Sequence, residues 1–342
     1  MRTRVCITID TEFSIGGAFG DATRLPVAEP NVWCNVRGRS EGLGFMLETF
    51  RKNQIQATFF VETVQRYYFK HDPMRPIAQL IHDEGHEVQL HSHPCWALFQ
   101  HEDWREQARR QRRSDDFHGR KLDDSVGLLE QGIATFGDWG LPHPRAFRSG
   151  NLQHDDNLFR ALAQVGIPYS SNVSVAVFNS GNPDYALYSG THERLGVLEC
   201  PVLSYTDLKI GSRQHLKSLT IAGTSFAETR NLLEQAYAAQ IPLVIILTHP
   251  FEYVQSADLT YQHSRRNRVT QQRLSQLCAF LHANQNCFDA TGMASALDAP
   301  DCRDGRNLLL TSPLWHSLPR MGTQVAYDRF GRLALACTRP TS

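Results

Sequence analysis

The sequence predicts a parallel α/β fold, and a barrel is the expected architecture. Short apolar runs typical of buried strands alternate with amphipathic helical patterns over most of the 342 residues. Several of the apolar runs end in polar side chains capable of chemistry. With 41% hydrophobic residues, the chain can bury a sizeable core. Because the carboxyl ends of the strands in a parallel barrel open on one face, distant residues can meet there in one pocket.

The predicted strands are apolar runs bounded by turn-forming or polar residues. They cover residues 4–10, 56–61, 86–91, 145–149, 167–172, 197–203 and 243–248, with a weak eighth at 286–290. The intervening helical patterns cover residues 43–50, 77–84, 126–136, 158–165, 224–239 and 269–284. Gly85 is expected to end the second of these helices, since glycine favours the left-handed backbone found after a helix. This strand–helix alternation is typical of parallel sheets.

Two segments interrupt or follow this pattern. Residues 100–124 hold a group of arginines followed by aspartates, which favours a solvated helix and loop; the alternative is a contact with an anionic polymer. We assign residues 1–295 to the barrel and 296–342 to a C-terminal extension packed on it. Within the extension, residues 324–327 and 332–337 could pair as a hairpin.

Bulk composition restricts the partners and the compartment. The 35 basic and 35 acidic residues give a formal net charge of zero, so nothing favours a nucleic-acid partner. The chain has no signal-peptide pattern and no apolar run long enough to span a membrane. A cytoplasmic location is therefore expected. The eight cysteines are scattered, and most should be free and buried in a reducing compartment.

Two pairs of side chains at i and i+2 mark the strand ends. Asp10 and Glu12 end the first apolar strand, and His91 and His93 end the third. On a strand this spacing directs both members of a pair to the same side. Two adjacent carboxylates repel each other unless a cation or proton relieves them. Together, carboxylates and imidazoles indicate a divalent metal and metal-assisted hydrolysis.

Other side chains near strand ends suggest supporting roles. Arg148 could orient an acid such as Asp10, and the turn after it could offer a backbone N–H to an oxyanion. His249, which ends the apolar strand 243–248, could act as a general acid, with Asp207 as a weaker candidate to orient it. Packing, capping or surface roles are the alternatives for each.

Two residues that follow the histidines are further candidates. Trp96 could line the pocket and stack on a sugar, although packing is the usual role of a tryptophan. Cys95 continues the alternation of His91 and His93 and could be a soft metal ligand.

The order of these segments resembles the NodB-homology polysaccharide deacetylases, carbohydrate esterase family 4. The resemblance covers roughly residues 4–290. Its motifs are Ile7-Thr8-Ile9-Asp10, Ala57-Thr58-Phe59-Phe60-Val61, Gly85-His86-Glu87-Val88-Gln89-Leu90-His91, Phe147-Arg148-Ser149-Gly150 and Leu247-Thr248-His249. It implies a distorted (β/α) barrel of about seven strands. It also implies a divalent metal, with zinc expected, and the hydrolysis of N- or O-acetyl groups on sugars.

The resemblance also implies roles for particular residues. Asp10 would be the general base, oriented by Arg148, and His249 the general acid. His91 would be the first metal histidine, and the backbone N–H of Asn151 would face the oxyanion.

The chain departs from the family pattern at both metal positions. Thr11 replaces the second acid, so the acidic ligand is expected to move to Glu12. Cys95 occupies the position of the second histidine, so His93 is expected to substitute for it.

These expectations lead to one main functional hypothesis and two alternatives. The main hypothesis is a metal-dependent deacetylase that removes acetyl groups from a carbohydrate by metal-activated water. The first alternative is an enzyme with a small amide substrate, such as a nitrogenous metabolite, or a related glycosidic activity. The second is a non-catalytic carbohydrate-binding relative, which the altered ligand pair motivates.

Overall fold

The computed structural model describes residues 1–110, 115–210, 213–303 and 305–316. Within these residues the main sheet has nine strands, and we label the seven parallel strands that follow one another around it β1 to β7. They are β1 Thr3–Thr11, β2 Thr58–Glu62, β3 Glu87–Ser92, β4 Ala146–Ser149, β5 Tyr169–Ser170, β6 Val197–Glu199 and β7 Leu243–Thr248. Their order across the sheet is β7-β1-β2-β3-β4-β5-β6.

The curved sheet nearly closes on itself. After β6, Val202 forms a parallel bridge with Ile245 of β7, and the Leu203 N–H donates to the Ile245 carbonyl at 3.1 Å. The contact is a short bridge rather than a full ladder, so the barrel is distorted. The predicted distorted (β/α) barrel of about seven parallel strands is confirmed.

Among the residues that the structure describes, six helices of nine or more residues surround the sheet. They are α1 Leu43–Asn53, α2 Met74–Asp83, α3 Leu122–Trp139, α4 Asp156–Gln164, α5 Phe226–Ala238 and α6 Arg268–Ala283. Shorter helices span Pro30–Trp33, Trp104–Arg110 and Met293–Leu297. Local sequence explains several ends: Ser225 and Glu228 form a capping box at the start of α5, and Gly140 follows α3 with a φ of 73°. All six predicted helical regions are observed.

Alternation along β1 separates two hydrophobic clusters. Val5, Ile7 and Ile9 belong to the large cluster that includes residues of the helices. Cys6 belongs to a second cluster, with residues of β7 and of the helix Met293–Leu297. Since successive side chains on a strand face opposite ways, Asp10 lies on the same side as Cys6, towards the barrel interior.

Short strands extend the barrel at several places. Three of them join the main sheet or its neighbour: His192–Arg194 pairs with β6, Phe288–Ala290 with β1, and Leu310–Thr311 with the hairpin Ser204–Ile210 and Arg213–Ser218. There are also two small antiparallel strand pairs. In one, Asn35–Val36 pairs with Arg39–Ser40, and in the other, Val254–Ser256 pairs with Ser264–Arg266. The strands Ser204–Ile210 and Arg213–Ser218 are not predicted from the sequence, because their polar residues mask a strand pattern.

Two predicted strands are shorter than expected. β5 begins only at Tyr169, since Pro168 has no N–H for the ladder. β6 ends at Glu199, shortly before Pro201. The side chain of Glu199 instead accepts the N–H groups of Asn172 and Val173 at 2.9 and 2.8 Å.

The proposed division at residue 295 stays a prediction. The helix Met293–Leu297 spans that position, and Leu310–Thr311 pairs with the barrel-associated hairpin. The hairpin expected at residues 324–337 lies outside the described residues. In the segment 100–124, the helix Trp104–Arg110 has no buried residue, which agrees with the expected solvated helix.

The described residues contain seven free cysteines, of which all but Cys287 are buried. No helix in this part of the chain has both the length and the apolar character needed to cross a bilayer.

Candidate active site

Strand register aligns the predicted site residues at one end of the barrel. His91 lies opposite Arg148 on β4 and opposite Glu62 on β2. Asp10 lies opposite Phe60 on β2. His249 directly follows β7, whose Thr248 lies opposite Ile9. The parallel arrangement therefore gathers side chains that are up to 239 positions apart in the sequence.

Glu12, His91 and His93 converge on one point. The Glu12 Oε2 lies 3.2 Å from His91 Nε2 and 2.7 Å from His93 Nε2. The two rings are nearly perpendicular, with centroids 5.0 Å apart. The three ligand atoms lie within 4.8 Å of one another. The structure thus brings together the three side chains that are expected from the sequence to bind a metal.

The hydrogen bonds of the two histidines favour a cation at this point. His91 Nδ1 lies 2.8 Å from the Arg148 carbonyl oxygen, which can only accept, so Nδ1 carries the proton. His93 Nδ1 lies 2.8 Å from Asp115 Oδ2 and donates in the same way. In the neutral imidazoles both Nε2 lone pairs would then face a carboxylate oxygen, which is favourable only with a positive charge between them. Two nitrogens and one oxygen fit a divalent metal centre of the zinc type.

The charges around this point shift the pKa values of Glu12, His91 and His93. Burial opposes ionisation of Glu12, but His93 and His91 hold its pKa well below the usual range. Burial also opposes a charge on the histidines, but Asp10 and Glu12 raise the pKa of His91. Glu12 and Asp115 raise that of His93 well above normal. The negative groups thus stabilise positive charge between these side chains.

Arg148 and Asp10 form a buried ion pair beside this cluster. The Arg148 Nη1 donates to Asp10 Oδ1 at 2.8 Å, while its Nε and Nη2 donate to the carbonyl and hydroxyl of Ser171 at 3.0 and 2.8 Å. Arg148 is fully buried, Asp10 is 5% exposed, and the guanidinium lies 4.4 Å from the ring centroid of Phe60. The two contacts with Ser171 hold the guanidinium in place, and the third orients the Asp10 carboxylate from one side.

His249 approaches Asp10 from β7 and is held by Glu252. Its Nε2 lies 3.8 Å from Asp10 Oδ2, and its Nδ1 lies 3.2 Å from Glu252 Oε1. The other Glu252 oxygen accepts the His249 N–H at 3.1 Å and the Thr248 hydroxyl at 2.7 Å. Burial alone would lower the pKa of His249, but Glu252 and Asp10 raise it to about 9. His249 is therefore protonated at neutral pH.

Asn151 lies in the turn after β4, with a φ of 55°. Its side-chain amide donates to Asp115 Oδ2 at 2.8 Å, the oxygen that faces His93. Burial opposes the Asp115 charge, but His93 lowers the pKa of this carboxyl. The turn after β4 and the segment after β3 are therefore joined by one carboxylate.

Two sequence-based expectations are not met by the structure. The substrate role predicted for Trp96 is wrong, because its side chain is only 1% exposed. Its ring packs against Phe69 and Phe99, with centroids 5.9 and 5.5 Å away, so its faces are not free for a sugar. Asp207 contacts His215 Nδ1 at 2.5 Å, and the partner found for His249 is Glu252 instead.

Cys95 lies beside the cluster rather than in the Glu12 set. It is 4% exposed, and its backbone N–H donates to Asp115 Oδ1 at 3.3 Å. His93 Nδ1, Cys95 and Asp115 form a second group whose ligand atoms lie within 4.8 Å. The substitution of His93 for the usual second histidine stays a prediction, which the Glu12 contact supports.

Sequence reasoning missed three carboxylates around the site. Glu62 ends β2, is fully buried, and accepts the backbone N–H groups of Val64 and His93; burial raises its pKa to about 7. Its position at a strand end was a usable signal. Glu252 follows His249 by three residues, the spacing of a capping pair. Asp115 carries no local signal, since its contacts are with residues 20 to 36 positions away in the sequence.

The fold and these strand-end side chains define a distorted (β/α) barrel with a candidate metal centre at the carboxyl ends of its strands. A family model described as polysaccharide deacetylase matches residues 38–170. The resemblance predicted from the motifs is confirmed over this part of the chain. Among curated proteins, none matches the chain.

Several solved structures are similar to this chain at low identity. A protein assigned as a polysaccharide deacetylase from Mycobacterium smegmatis is 17% identical, with a TM-score of 0.48 over 91% of this chain and 95% of that one. A family 4 carbohydrate esterase from Streptomyces lividans, in complex with acetate, is 12% identical, with a TM-score of 0.42 over 90% and 98%. A CE4 family pseudoenzyme from Bacillus anthracis is 12% identical, with a TM-score of 0.43 over 91% and 70%.

Proposed function

We propose that the protein is a metal-dependent deacetylase that removes N- or O-acetyl groups from a carbohydrate. The observation that carries the proposal is the contact of Glu12 Oε2 with the Nε2 atoms of both His91 and His93, at 3.2 and 2.7 Å. The family match supports an acetylated carbohydrate as the substrate class. The buried Asp10–Arg148 pair and the charged His249 supply the proton-transfer groups that such a hydrolysis needs.

Zinc is the metal that we expect at this centre. Glu12, His91 and His93 would hold it through one oxygen and two nitrogens, a three-residue set that leaves room for water and substrate. When bound, the ion would polarise the acetyl carbonyl and lower the pKa of nearby water. The outer hydrogen bonds of both histidines are already made, to Arg148 O and to Asp115, which keeps their Nε2 atoms directed at Glu12.

Asp10 and His249 divide the proton transfers between them. Arg148 occupies one Asp10 oxygen, so the other is left to accept the proton of the attacking water. His249, protonated because Glu252 and Asp10 raise its pKa to about 9, donates a proton to the leaving nitrogen or oxygen. The roles of base and acid thus fall on two separate groups of the site.

The turn after β4 is the proposed site for the developing oxyanion. The Asn151 backbone N–H would donate to it, as the family resemblance implies. Asn151 is exposed and its amide is tied to Asp115. A fixed turn lowers the reorganisation that the N–H needs when charge develops on the carbonyl oxygen.

Acetate release from a panel of acetylated sugars tests this proposal directly. The zinc-loaded protein should release acetate, and Asp10→Asn or His91→Ala should abolish release while the fold is retained by circular dichroism. Glu130→Gln, at an exposed position on α3, is the matched control and should behave as wild type. Near-wild-type turnover by either site variant would reject the assignment.

The same assay separates the alternatives. Hydrolysis of small ureides or other amides without release from sugars would favour the amide hydrolase. Binding of acetylated sugars without turnover, by a chain that takes up no zinc, would favour the non-catalytic relative. The cytoplasmic location and the absence of a nucleic-acid partner stay predictions from composition.

A further inference from the structure

The two imidazoles of the proposed centre are oriented by different means. His91 lies within β3, and its Nδ1 donates to the backbone carbonyl of Arg148 on the adjacent strand at 2.8 Å. His93 lies beyond the end of β3, immediately before the short helical turn that begins at Pro94. Its Nδ1 contacts no strand carbonyl and lies instead 2.8 Å from the Asp115 carboxylate. The second imidazole therefore depends on a side chain from outside the sheet.

Asp115 joins three groups at this position. Besides His93, its Oδ2 accepts the Asn151 side-chain amide at 2.8 Å, and its Oδ1 accepts the Cys95 N–H at 3.3 Å. The Asp115 side chain is 29% exposed. Its position thus ties the segment after β3 to the turn after β4.

Packing confines the His93 ring as well. A Cβ atom added at Gly150 would overlap this ring, with Cε1 and Cγ each only 2.7 Å away. The ring therefore lies directly on the backbone of the turn after β4. The contact with Gly150 restricts rotation of the imidazole, and the hydrogen bond to the Asp115 carboxylate favours one tautomer.

We propose that Asp115 is a positioning residue for His93. By accepting the Nδ1 proton, it fixes the tautomer in which the Nε2 lone pair faces Glu12 and the proposed metal. The inference rests on the proposed function and deepens it, since it explains how a histidine placed two residues after His91 can serve as a ligand. Loss of such an outer hydrogen bond typically weakens metal affinity about 10- to 100-fold.

A competing arrangement uses the same atoms. His93 Nδ1, Cys95 and Asp115 lie close enough to hold a cation themselves. In that case His93 Nδ1 would carry no proton for Asp115, and the protein would take up a second ion. The two arrangements predict different metal stoichiometry, so they can be separated by experiment.

The test measures zinc binding by the full chain, stripped of metal and titrated against a competing chelator. We compare wild type, Asp115→Ala, Asp115→Asn and Cys95→Ser, with Asp123→Asn as the control at an exposed carboxylate. Wild type should bind one zinc. Asp115→Ala should bind it about 10- to 100-fold more weakly. Asp115→Asn, which keeps an acceptor without the charge, should lie between the two. Cys95→Ser and Asp123→Asn should match wild type.

Two further readouts separate a positioning role from a structural one. The visible spectrum of the cobalt-loaded protein should change in Asp115→Ala, because the ligand field changes with the His93 orientation. The thermal midpoint of metal-free Asp115→Asn, which keeps an acceptor at this position, should stay close to that of the metal-free wild type.

The outcomes that overturn the inference are distinct from those that overturn the proposed function. An Asp115→Ala affinity within about twofold of wild type rejects the positioning role, since an outer-sphere loss is expected to be larger. Uptake of a second zinc that disappears in Cys95→Ser rejects it in favour of a second metal site. A wild-type chain that binds no zinc rejects the metal centre itself, and this inference with it.

Discussion

Replacing Glu252 with glutamine tests the assignment of His249 as the general acid. Glutamine keeps the size of the side chain and one acceptor for the N–H groups nearby, but it removes the negative charge 3.2 Å from His249 Nδ1. A close opposite charge typically shifts a pKa by about 1 to 3 units. Because burial already disfavours the charged imidazole, loss of Glu252 should lower the His249 pKa from about 9 towards its ordinary range.

The expected result is a pH-dependent loss of rate. An acid must be protonated to donate, so activity is present below the His249 pKa and falls as the pH rises through it. With a shift of about one and a half units, the protonated fraction at about pH 8 falls from roughly nine-tenths to roughly one quarter. At about pH 6.5 the variant should retain nearly the wild-type rate, since both forms are then mostly protonated.

The assay is the pH profile of kcat/KM for acetate release, with Glu130→Gln as the control for loss of a carboxylate at an exposed position. An alkaline limb that stays in place in Glu252→Gln would refute the reasoning. So would an equal loss of rate at every pH, because this would indicate a structural defect rather than a shifted acid.

Three other perturbations give separate tests. Arg148→Met should destabilise the fold by about 3 to 5 kcal/mol in urea denaturation, because it removes the guanidinium that pairs with the buried Asp10 carboxylate; a loss below about 1 kcal/mol would contradict the buried ion pair. Gly150→Ala should weaken zinc binding in chelator competition, because the added methyl group would overlap the ring of His93, and unchanged affinity would show that the ring is free to move. Zinc at about a hundredfold its Kd should raise the free energy of unfolding by about 2.7 kcal/mol in wild type, and Glu12→Ala should remove most of that gain; equal zinc stabilisation of both would exclude Glu12 as a ligand.

The strands and helices could be predicted because their patterns are local. Apolar runs and helical stripes depend on neighbouring residues, and their positions agree with the structure to within a few residues. The strand-end residues Asp10, His91, Arg148 and His249 could also be assigned to one face, since parallel strands in a barrel share a polarity. The alternation of side chains along each strand and the common direction of the strands were sufficient for this assignment.

The contacts of individual side chains could not be derived in the same way. Asp115 contacts His93 across 22 positions of the sequence, and no spacing in the sequence encodes that contact. Trp96 illustrates the opposite error: it follows the histidines directly, but the turn that starts at Pro94 directs it into an aromatic cluster. Adjacency in sequence to a site residue did not indicate exposure to the substrate.

The two departures from the family pattern are best understood together. On β1 successive side chains alternate, so Glu12 shares the face of Asp10 while Thr11, fully buried, faces the other way. On β3 the same alternation carries His93 to the side of His91 just beyond the strand end. An acid moved by one residue and a histidine moved by two therefore still meet, with 2.7 Å between Glu12 Oε2 and His93 Nε2. The shifted acid and the shifted histidine thus remain in contact, and Asp115 Oδ2 lies 2.8 Å from the Nδ1 of that imidazole.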